Sequence, residues 1–323
     1  VRLGHATTPD RRTGVSVLLF GRASPTVVDV RGGASGTYDT ASLSLDATFG
    51  RRWAIFLSGG SLFGLDAGAG VRTEVLRAGG GQAVFGRTNR VAPVSGAILY
   101  DLPVERAEPP DYRTLGARAA RSAVPIAEDA ARGGAAAGAR IGKYHGRAHS
   151  QPGAYGVSIR QRPKFGTVAV IAALNSVGAV RDPSTGRWIA GARDPEGRIV
   201  PPPGEEPDPG PGTTLVAAVT DVPAPRPVLQ RAATFAHDAV ARAVVPAHTA
   251  TDGDAVFVTS LVEPVGAPDP AAPAWELADA LGTLVESATI AAILAAAGAA
   301  SQAASPSPVA AASRATRGSS RSS

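Results

Sequence analysis

The chain has 323 residues, 44% of them hydrophobic and 18% charged, enough to bury the core of one large domain or two modest ones. Its 32 Lys and Arg against 27 Asp and Glu leave a net charge of +5, but the arginines are scattered without a basic run or aromatic-basic interleaving, so nucleic acid is not an expected partner. Cysteine is absent, which excludes disulfides, thiolate catalysis and cysteine-bound zinc.

The N-terminal VRLGHATTPDRRTGVSVLLF lacks the cationic, long-apolar and small-residue succession of a secretory signal, so a processed or trimmed start and a cytoplasmic location are expected. Residues 13–20, 26–30 and 53–57 cluster β-branched and aromatic side chains between turn signals and predict strands. A loop and then a helix are expected over 59–78. Further strands follow at 96–100, 155–160 and 167–174, with a helix at 112–122. The order is mixed and not a βαβ series. Residues 181–212 carry DPSTG and then PPPGEEPDPGPG, a stiff polar segment with too little apolar content for a core, expected to lie outside it.

From Thr213 onward a strand (TTLVAAVTDV), a helix (227–244), a strand (254–261) and a helix (275–300) predict a compact second half. The apolar run 288–300 is too short to span a bilayer and follows Glu276, Asp279 and Glu286, so it predicts a buried alanine-rich helix and no membrane partner. The Ser/Ala/Arg-rich residues 301–323 predict a disordered tail.

Several enzyme signatures fail on spacing. In GARIGKY (138–144) the glycines are one residue too close for a phosphate loop, and Tyr144 replaces the hydroxyl that would hold magnesium. After Gly59-Gly60 and Gly68-Ala69-Gly70, Thr73 stands where a dinucleotide turn needs glycine. His145 and His149 are four apart but lack a carboxylate companion, and no Gly-x-Ser-x-Gly elbow is present. The chain is therefore expected to work without metal or organic cofactor. The paired glycines Gly32-Gly33 and Gly59-Gly60 predict tight turns at close backbone approaches, with amides bordering the substrate pocket.

The junction Pro211-Gly212-Thr213-Thr214-Leu215 leaves two readings open. It is a linker meeting a strand, or it is a cleavage point. Cutting Gly212-Thr213 would give Thr213 both a hydroxyl nucleophile and a free α-amine able to act as its base.

Eight segments in order carry a resemblance: GHATTPDRRTGVSVLLF (from Gly4), VDVRGGASGTYDT (Val28), IFLSGGSLFGLDAGAGV (Ile55), GAILYDL (Gly96), GARIGKYHG (Gly138), LNSVGAVRDPSTG (Leu174), GTTLVAAVTD (Gly212) and FAHDAVARAVVPAHTATDGDAVF (Phe235). Together they resemble the DmpA-like L-aminopeptidase/D-esterase family of N-terminal-nucleophile hydrolases, which includes β-peptidyl aminopeptidases and nylon-oligomer hydrolases. The resemblance implies an α+β fold, a four-layer αββα sandwich, autocleaved into a larger chain (1–212, with the proline-rich linker 195–212) and a smaller one (213–323). It also implies a homotetramer of processed heterodimers acting on small peptides or amides through an acyl-enzyme.

Carried over residue by residue, the resemblance implies Thr213 as nucleophile, with Thr214 the second choice and more suited to supporting the strand. Asn175 is implied as an oxyanion donor, Lys143 as a stabiliser of nucleophile or oxyanion, and Asp252 and Asp254 as carboxylates orienting the new amine. Tyr100 is implied to donate a hydrogen bond in the cleft, a buried core tyrosine being its other reading. Gly212 stands where many relatives have Asn. The aspartate pair matches the nylon-hydrolase side of the family and suggests endo-hydrolysis of ω-amino-acid oligomers as an alternative. An uncut, non-catalytic binding protein of the same fold is the alternative from another class. His237 and His248 are expected to make structural hydrogen bonds only.

Overall fold

The computed structural model describes residues 1–86, 88–102, 108–202, 211–264 and 274–304. The strands that carry the architecture are Arg2–Thr7 (β1), Gly14–Val30 (β2), Arg51–Ser58 (β3), Val94–Ile98 (β4), Tyr155–Arg162 (β5), Gly166–Asn175 (β6), Thr213–Thr220 (β7) and Ala255–Ser260 (β8). The helices are Ala67–Arg77 (α1), Tyr112–Arg121 (α2), Arg226–Ala243 (α3) and Ala274–Ala304 (α4). Hydrogen bonding runs from Thr37–Tyr38 through β4, β3, β2, β8, β7, β6 and β5 to Asp129–Ala131, with β1 also paired to β2. The β3–β4 and β7–β8 pairs are parallel.

One strand joins the two halves. Residues 15–19 of β2 pair with β3, whereas residues 26–30 pair with β8, and the register shifts between Leu19 and Ser24. The sequence predicts two strands here. A bulge bends a strand without ending it, so one long strand passes from the first sheet layer to the second.

Side-chain alternation builds the layers. Val15, Val17 and Phe56 face Val71 of α1 and Leu115 of α2. Their neighbours Leu18, Ile55 and Leu57 meet Ile171, Leu215 and Phe257 of the other sheet layer. On that layer's far side, Val170, Val216 and Val258 pack on Leu229 and Val240 of α3 and on Leu281, Val285 and Ile293 of α4. The result is the expected αββα sandwich. Strands apolar on both faces are what burial between two layers requires.

Helix α4 is longer than the sequence predicts, and by length and composition it could cross a membrane. Its Leu281, Val285 and Ile293 are nevertheless fully buried, and Gly156 of β5 lies so close that an added Cβ would stand 2.1 Å from the Ala292 carbonyl oxygen. That is the position of a core helix. Residues 301–304 continue α4 where a tail was expected, and 305–323 lie outside the described residues.

The segment expected to stay outside the core needs a second correction. Trp188–Ala190 pairs with Ala179–Arg181, which pairs in turn with Val244–Val245, and Ala190 and Ala192 are fully buried. Trp188 and Ile189 supply the apolar content that the surrounding prolines and charges obscure. The stretch 203–210 lies outside the described residues.

Helices α1 and α2 cross with a glycine on each. A Cβ at Gly70 would stand 1.9 Å from the Arg113 carbonyl oxygen, and one at Gly116 would stand 2.3 Å from that of Ala67. Gly116→Ala should therefore lower stability by about 1–3 kcal/mol in urea unfolding, despite the better helix propensity of alanine. An unchanged or raised midpoint would contradict this close crossing.

Candidate active site

Period-two alternation puts Thr213 on the face of β7 that carries Leu215, Ala217 and Val219, toward the space between the sheets. Asn175 lies on the matching face of β6 with Ile171 and Ala173, directly across from Thr213 in the antiparallel register. Both residues end their strands at one edge of the sandwich. Thr213 is only 3% exposed.

The peptide between Gly212 and Thr213 is held from both sides. Thr213 Oγ1 donates to the Gly212 carbonyl oxygen, so the hydroxyl lies beside the carbonyl group it would attack. The Gly253 N–H donates to the same oxygen at 2.9 Å, and Gly212 N–H donates to Thr251 at 3.3 Å. An amide already aimed at this oxygen is placed to stabilise the oxyanion that attack would create. A Cβ at 253 would approach Thr213 Oγ1 to 2.8 Å, so glycine there leaves the hydroxyl its place beside the Gly212 carbonyl.

The turn carrying Gly253 is strapped down by the end of β2. Arg31 and Gly32 N–H donate to the Asp254 carbonyl, Gly33 N–H to Thr249 and Ala34 N–H to Asp252. Gly32 and Gly33 have no room for a side chain, since a Cβ would stand 2.2 Å from the Asp252 carbonyl oxygen and 2.6 Å from that of Ala250. The close approach is as expected. The amides of Gly32 and Gly33 bind this turn, Gly59 N–H binds the Gly14 carbonyl and Gly60 N–H binds Asp101 Oδ1.

The two aspartates have different partners. Asp252 Oδ2 accepts from Thr249 N–H at 2.9 Å, while its Oδ1 is buried without a partner against Gly212. Burial and the neighbouring Asp254 push its pKa up to about 6. Asp254 Oδ1 accepts from Thr214 N–H at 2.5 Å, and its Oδ2 accepts from His248 N–H at 3.0 Å and Nδ1 at 2.7 Å. Asp254 thus grips the second residue of β7 and a histidine, and it makes no hydrogen bond to Thr213. Thr214 supports the strand through its amide, its hydroxyl being buried without a partner.

His248 takes a positive φ of 57°, and its ring meets that of His237 edge-on at 4.8 Å. Burial works against a charge on His248, but the hydrogen bond and charge of Asp254 outweigh it and raise its pKa. His237 is anchored through Nε2 to the Asp29 carbonyl at 2.9 Å. Both histidines make the structural hydrogen bonds expected of them, and His248 makes its bond to a predicted site residue.

Lys143 is 6% exposed and donates through Nζ to the carbonyls of Asn175, at 2.6 Å, and Pro211. Burial lowers its pKa to about 7, although the Asp252 charge opposes the shift. Asn175 accepts from Arg140 N–H at 2.9 Å and donates through Nδ2 to the Tyr100 carbonyl at 2.9 Å, which commits one of its two amide hydrogens. Tyr100 contributes that carbonyl. Its phenol is 40% exposed, neither a buried core ring nor a hydrogen-bonding partner of any described residue. Asp101, which the sequence reading passed over, fixes this chain segment by accepting from Gly60 N–H at 2.7 Å and Thr13 Oγ1 at 3.1 Å.

The structure therefore gathers Thr213, Gly212, Asn175, Lys143 and Asp252 around one peptide bond. Asp254 stands one step behind them, and Tyr100 joins through its backbone alone. His145 and His149 lie apart beside Arg193 and Asp194, and no cluster able to hold a metal occurs among the described residues.

The profile of peptidase family S58 matches residues 1–318. An uncharacterized aminopeptidase of Mycobacterium leprae (strain TN) is 32% identical over 271 residues, covering 79% of this chain and 73% of that protein. A 6-aminohexanoate-oligomer endohydrolase of Agromyces sp. (strain KY5R) is 29% identical over 280 residues, covering 81% and 73%. Among solved structures, a β-aminopeptidase of Burkholderia sp. superimposes with a TM-score of 0.63 at 18% identity, over 91% of this chain and 83% of its own. The L-aminopeptidase D-Ala-esterase/amidase of Ochrobactrum anthropi, titled a variant of the Ntn hydrolase fold, gives 0.59 at 14% identity over the same shares. Both share this chain's fold.

The Asp254–His248 contact is open to a direct test. His248→Asn keeps a donor near the place of Nδ1 and tolerates positive φ, whereas His248→Leu leaves a buried carboxylate short of one hydrogen bond. The leucine variant should lose about 1–3 kcal/mol in urea unfolding and the asparagine variant clearly less. Equal losses would mean that ring packing, not the hydrogen bond, is what counts.

Proposed function

This chain belongs to peptidase family S58 and hydrolyses peptide or amide bonds, and from that premise we propose that it cuts itself between Gly212 and Thr213 and then uses Thr213 on substrate. The observation that carries this reading is the Gly212 carbonyl, bracketed by the Thr213 hydroxyl and the Gly253 N–H. In processing, Thr213 Oγ bonds to the Gly212 carbonyl carbon, the Gly212–Thr213 C–N bond breaks, and the chain is left as an ester with a free Thr213 amine. Water then hydrolyses the ester and leaves a carboxylate on Gly212.

In turnover the Thr213 amine accepts the proton of its own hydroxyl, Oγ attacks the substrate carbonyl, and the substrate amine leaves with that proton. Water releases the acyl group. The Gly253 N–H and the remaining amide hydrogen of Asn175 are the donors for the oxyanion, each worth about 3 kcal/mol at the transition state. Lys143 and Asp252 supply charge and proton capacity beside the bond, while Asp254 and His248 hold the start of β7. No step calls for a metal or organic cofactor.

Small peptides or amides are the proposed substrates, with endo-hydrolysis of ω-amino-acid oligomers as the second reading, favoured by the Asp252/Asp254 pair. The non-catalytic alternative falls with membership of a hydrolase family. A cytoplasmic location and a homotetramer of processed pairs belong to the same proposal.

Thr213→Ala removes the attacking atom and should leave the chain whole and inactive, while Thr213→Ser should keep part of both processing and turnover. Activity in the alanine variant would contradict the assignment. The rate of processing should also depend on pH. Asp252 is a carboxylate only above about 6 and Lys143 a neutral amine only above about 7, so proton acceptors beside Gly212 increase as pH rises through this window. Precursor refolded at about pH 5 and jumped to higher pH should cut faster up to about pH 8 and then level off. A flat or falling profile would remove both groups from the chemistry.

A further inference from the structure

Asn175 holds a neighbouring loop at two points. Its Oδ1 accepts from Arg140 N–H at 2.9 Å, and its carbonyl accepts from Lys143 Nζ at 2.6 Å. Beyond Lys143 the chain folds back, since Gly146 N–H donates to the Lys143 carbonyl at 2.8 Å and Arg140 Nε donates to Ser150 Oγ at 2.5 Å. Ser150 Oγ donates in turn to the Arg147 carbonyl at 2.7 Å. The backbone of Arg147 is thereby fixed on the loop that carries Lys143, while its side chain is exposed.

The guanidinium of Arg147 has no hydrogen bond or ion pair among the described residues. Its charge nevertheless reaches three groups around the site. Burial is the largest cause of the lowered Lys143 pKa, and Arg147 and Arg140 add to it. Burial also lowers the pKa of Arg140, with Arg147 and Arg132 adding to the shift. Asp101 is pushed up to about 7 by burial, which the Arg147 charge partly opposes. Arg132 has Arg11 beside it, whose Nη2 donates to the Arg132 carbonyl at 3.1 Å. Five basic residues are thus gathered on one side of the site.

The carboxylates around this cluster are engaged elsewhere. Asp101 Oδ1 holds Gly60 N–H and Thr13 Oγ1, and its Oδ2 is buried against Gly59 and Gly138, where it cannot turn outward. Asp129 accepts from the Tyr155 phenol at 2.7 Å, and Glu128 pairs with Arg160 at 3.1 Å. Asp252 faces Gly212. Like charges gathered at a cleft attract anions, and an arginine with an unused planar fork can take a carboxylate through two parallel hydrogen bonds. Arg147 stands where such an anion would arrive, between buried Lys143 and the segment of Tyr100, whose phenol is 40% exposed.

We propose that Arg147, backed by Arg140 and Arg132, is a specificity-determining residue that receives a carboxylate of the substrate, so that anionic peptides or amides are taken over neutral ones. The inference rests on the proposed hydrolysis at Thr213 and adds to it a second point of attachment outside the reacting atoms. A group that pairs with substrate in this way acts on its capture, and its effect falls on KM. The carboxylate can belong to the leaving group or to the acyl group, and the two are told apart by where the substrate carries it.

The test uses purified enzyme shown by mass to be cut, with substrates in two pairs. Triglycine against triglycinamide puts the carboxylate on the leaving side, and N-succinyl-glycyl-glycinamide against N-acetyl-glycyl-glycinamide puts it on the acyl side. In at least one pair the carboxylate member should have a kcat/KM at least about five-fold above its neutral partner, through a lower KM. That preference should shrink as NaCl is raised from about 20 mM to about 500 mM, because salt screens exposed charges. In Arg147→Gln it should fall to about two-fold or less, whereas Arg147→Lys should keep part of it. A preference below about five-fold in both pairs, one that salt leaves unchanged, or one above about two-fold in Arg147→Gln overturns the proposal. Turnover of none of the four compounds overturns it as well. An uncut wild-type chain, or hydrolysis that survives Thr213→Ala, would instead sink the nucleophile assignment itself.

Discussion

The hydrogen bond from Gly253 N–H to the Gly212 carbonyl is the constraint around which the rest of the site is arranged. It requires two backbones to approach at the open end of β7, and small residues serve that approach on every side. Gly253 clears Thr213, Gly212 clears Asp252 and Val177, and Gly32 and Gly33 let the end of β2 strap the turn from behind. The long strand β2 therefore does two tasks. It joins the two sheet layers, and its end fixes the turn that polarises the scissile bond.

The charged groups around this bond do not stabilise the fold cheaply. Lys143 and Asp252 are both buried, and burial drives their pKa values toward each other, to about 7 and about 6. Each shift is free energy lost to desolvation that a hydrophobic pair would not lose. An unpartnered Asp252 oxygen and a histidine at positive φ add to the cost. Such features persist where function requires them, and here they surround one peptide bond.

Much of the fold was legible in the sequence because burial leaves a periodic trace. The apolar strands at 167–174 and 213–222 and the helices at 112–122 and 227–244 stand close to their observed bounds, since each has a buried face. Two elements were less legible. The bulge in β2 reads as a strand break because polar Arg22 and Ser24 interrupt the apolar run, and Trp188–Ala190 is hidden among prolines and charges. The site was legible mainly through resemblance, which named Thr213, Asn175, Lys143 and the aspartate pair. Backbone donors leave no side-chain signature, so Gly253 N–H could be seen only in the structure. For a related reason the use of the Tyr100 carbonyl by Asn175 shows only in the structure, the exposed phenol being the part that the resemblance names. The bond from His248 to Asp254 spans six residues in an irregular turn, where no periodicity reports contact.

The account stands or falls on the Gly212–Thr213 bond. Intact-mass measurement of the purified wild-type protein tests it most directly. Two chains should appear, the smaller beginning at Thr213, with masses that sum to the full chain plus one water. A single full-length chain that hydrolyses amides, or a cut at any other bond, would contradict the account.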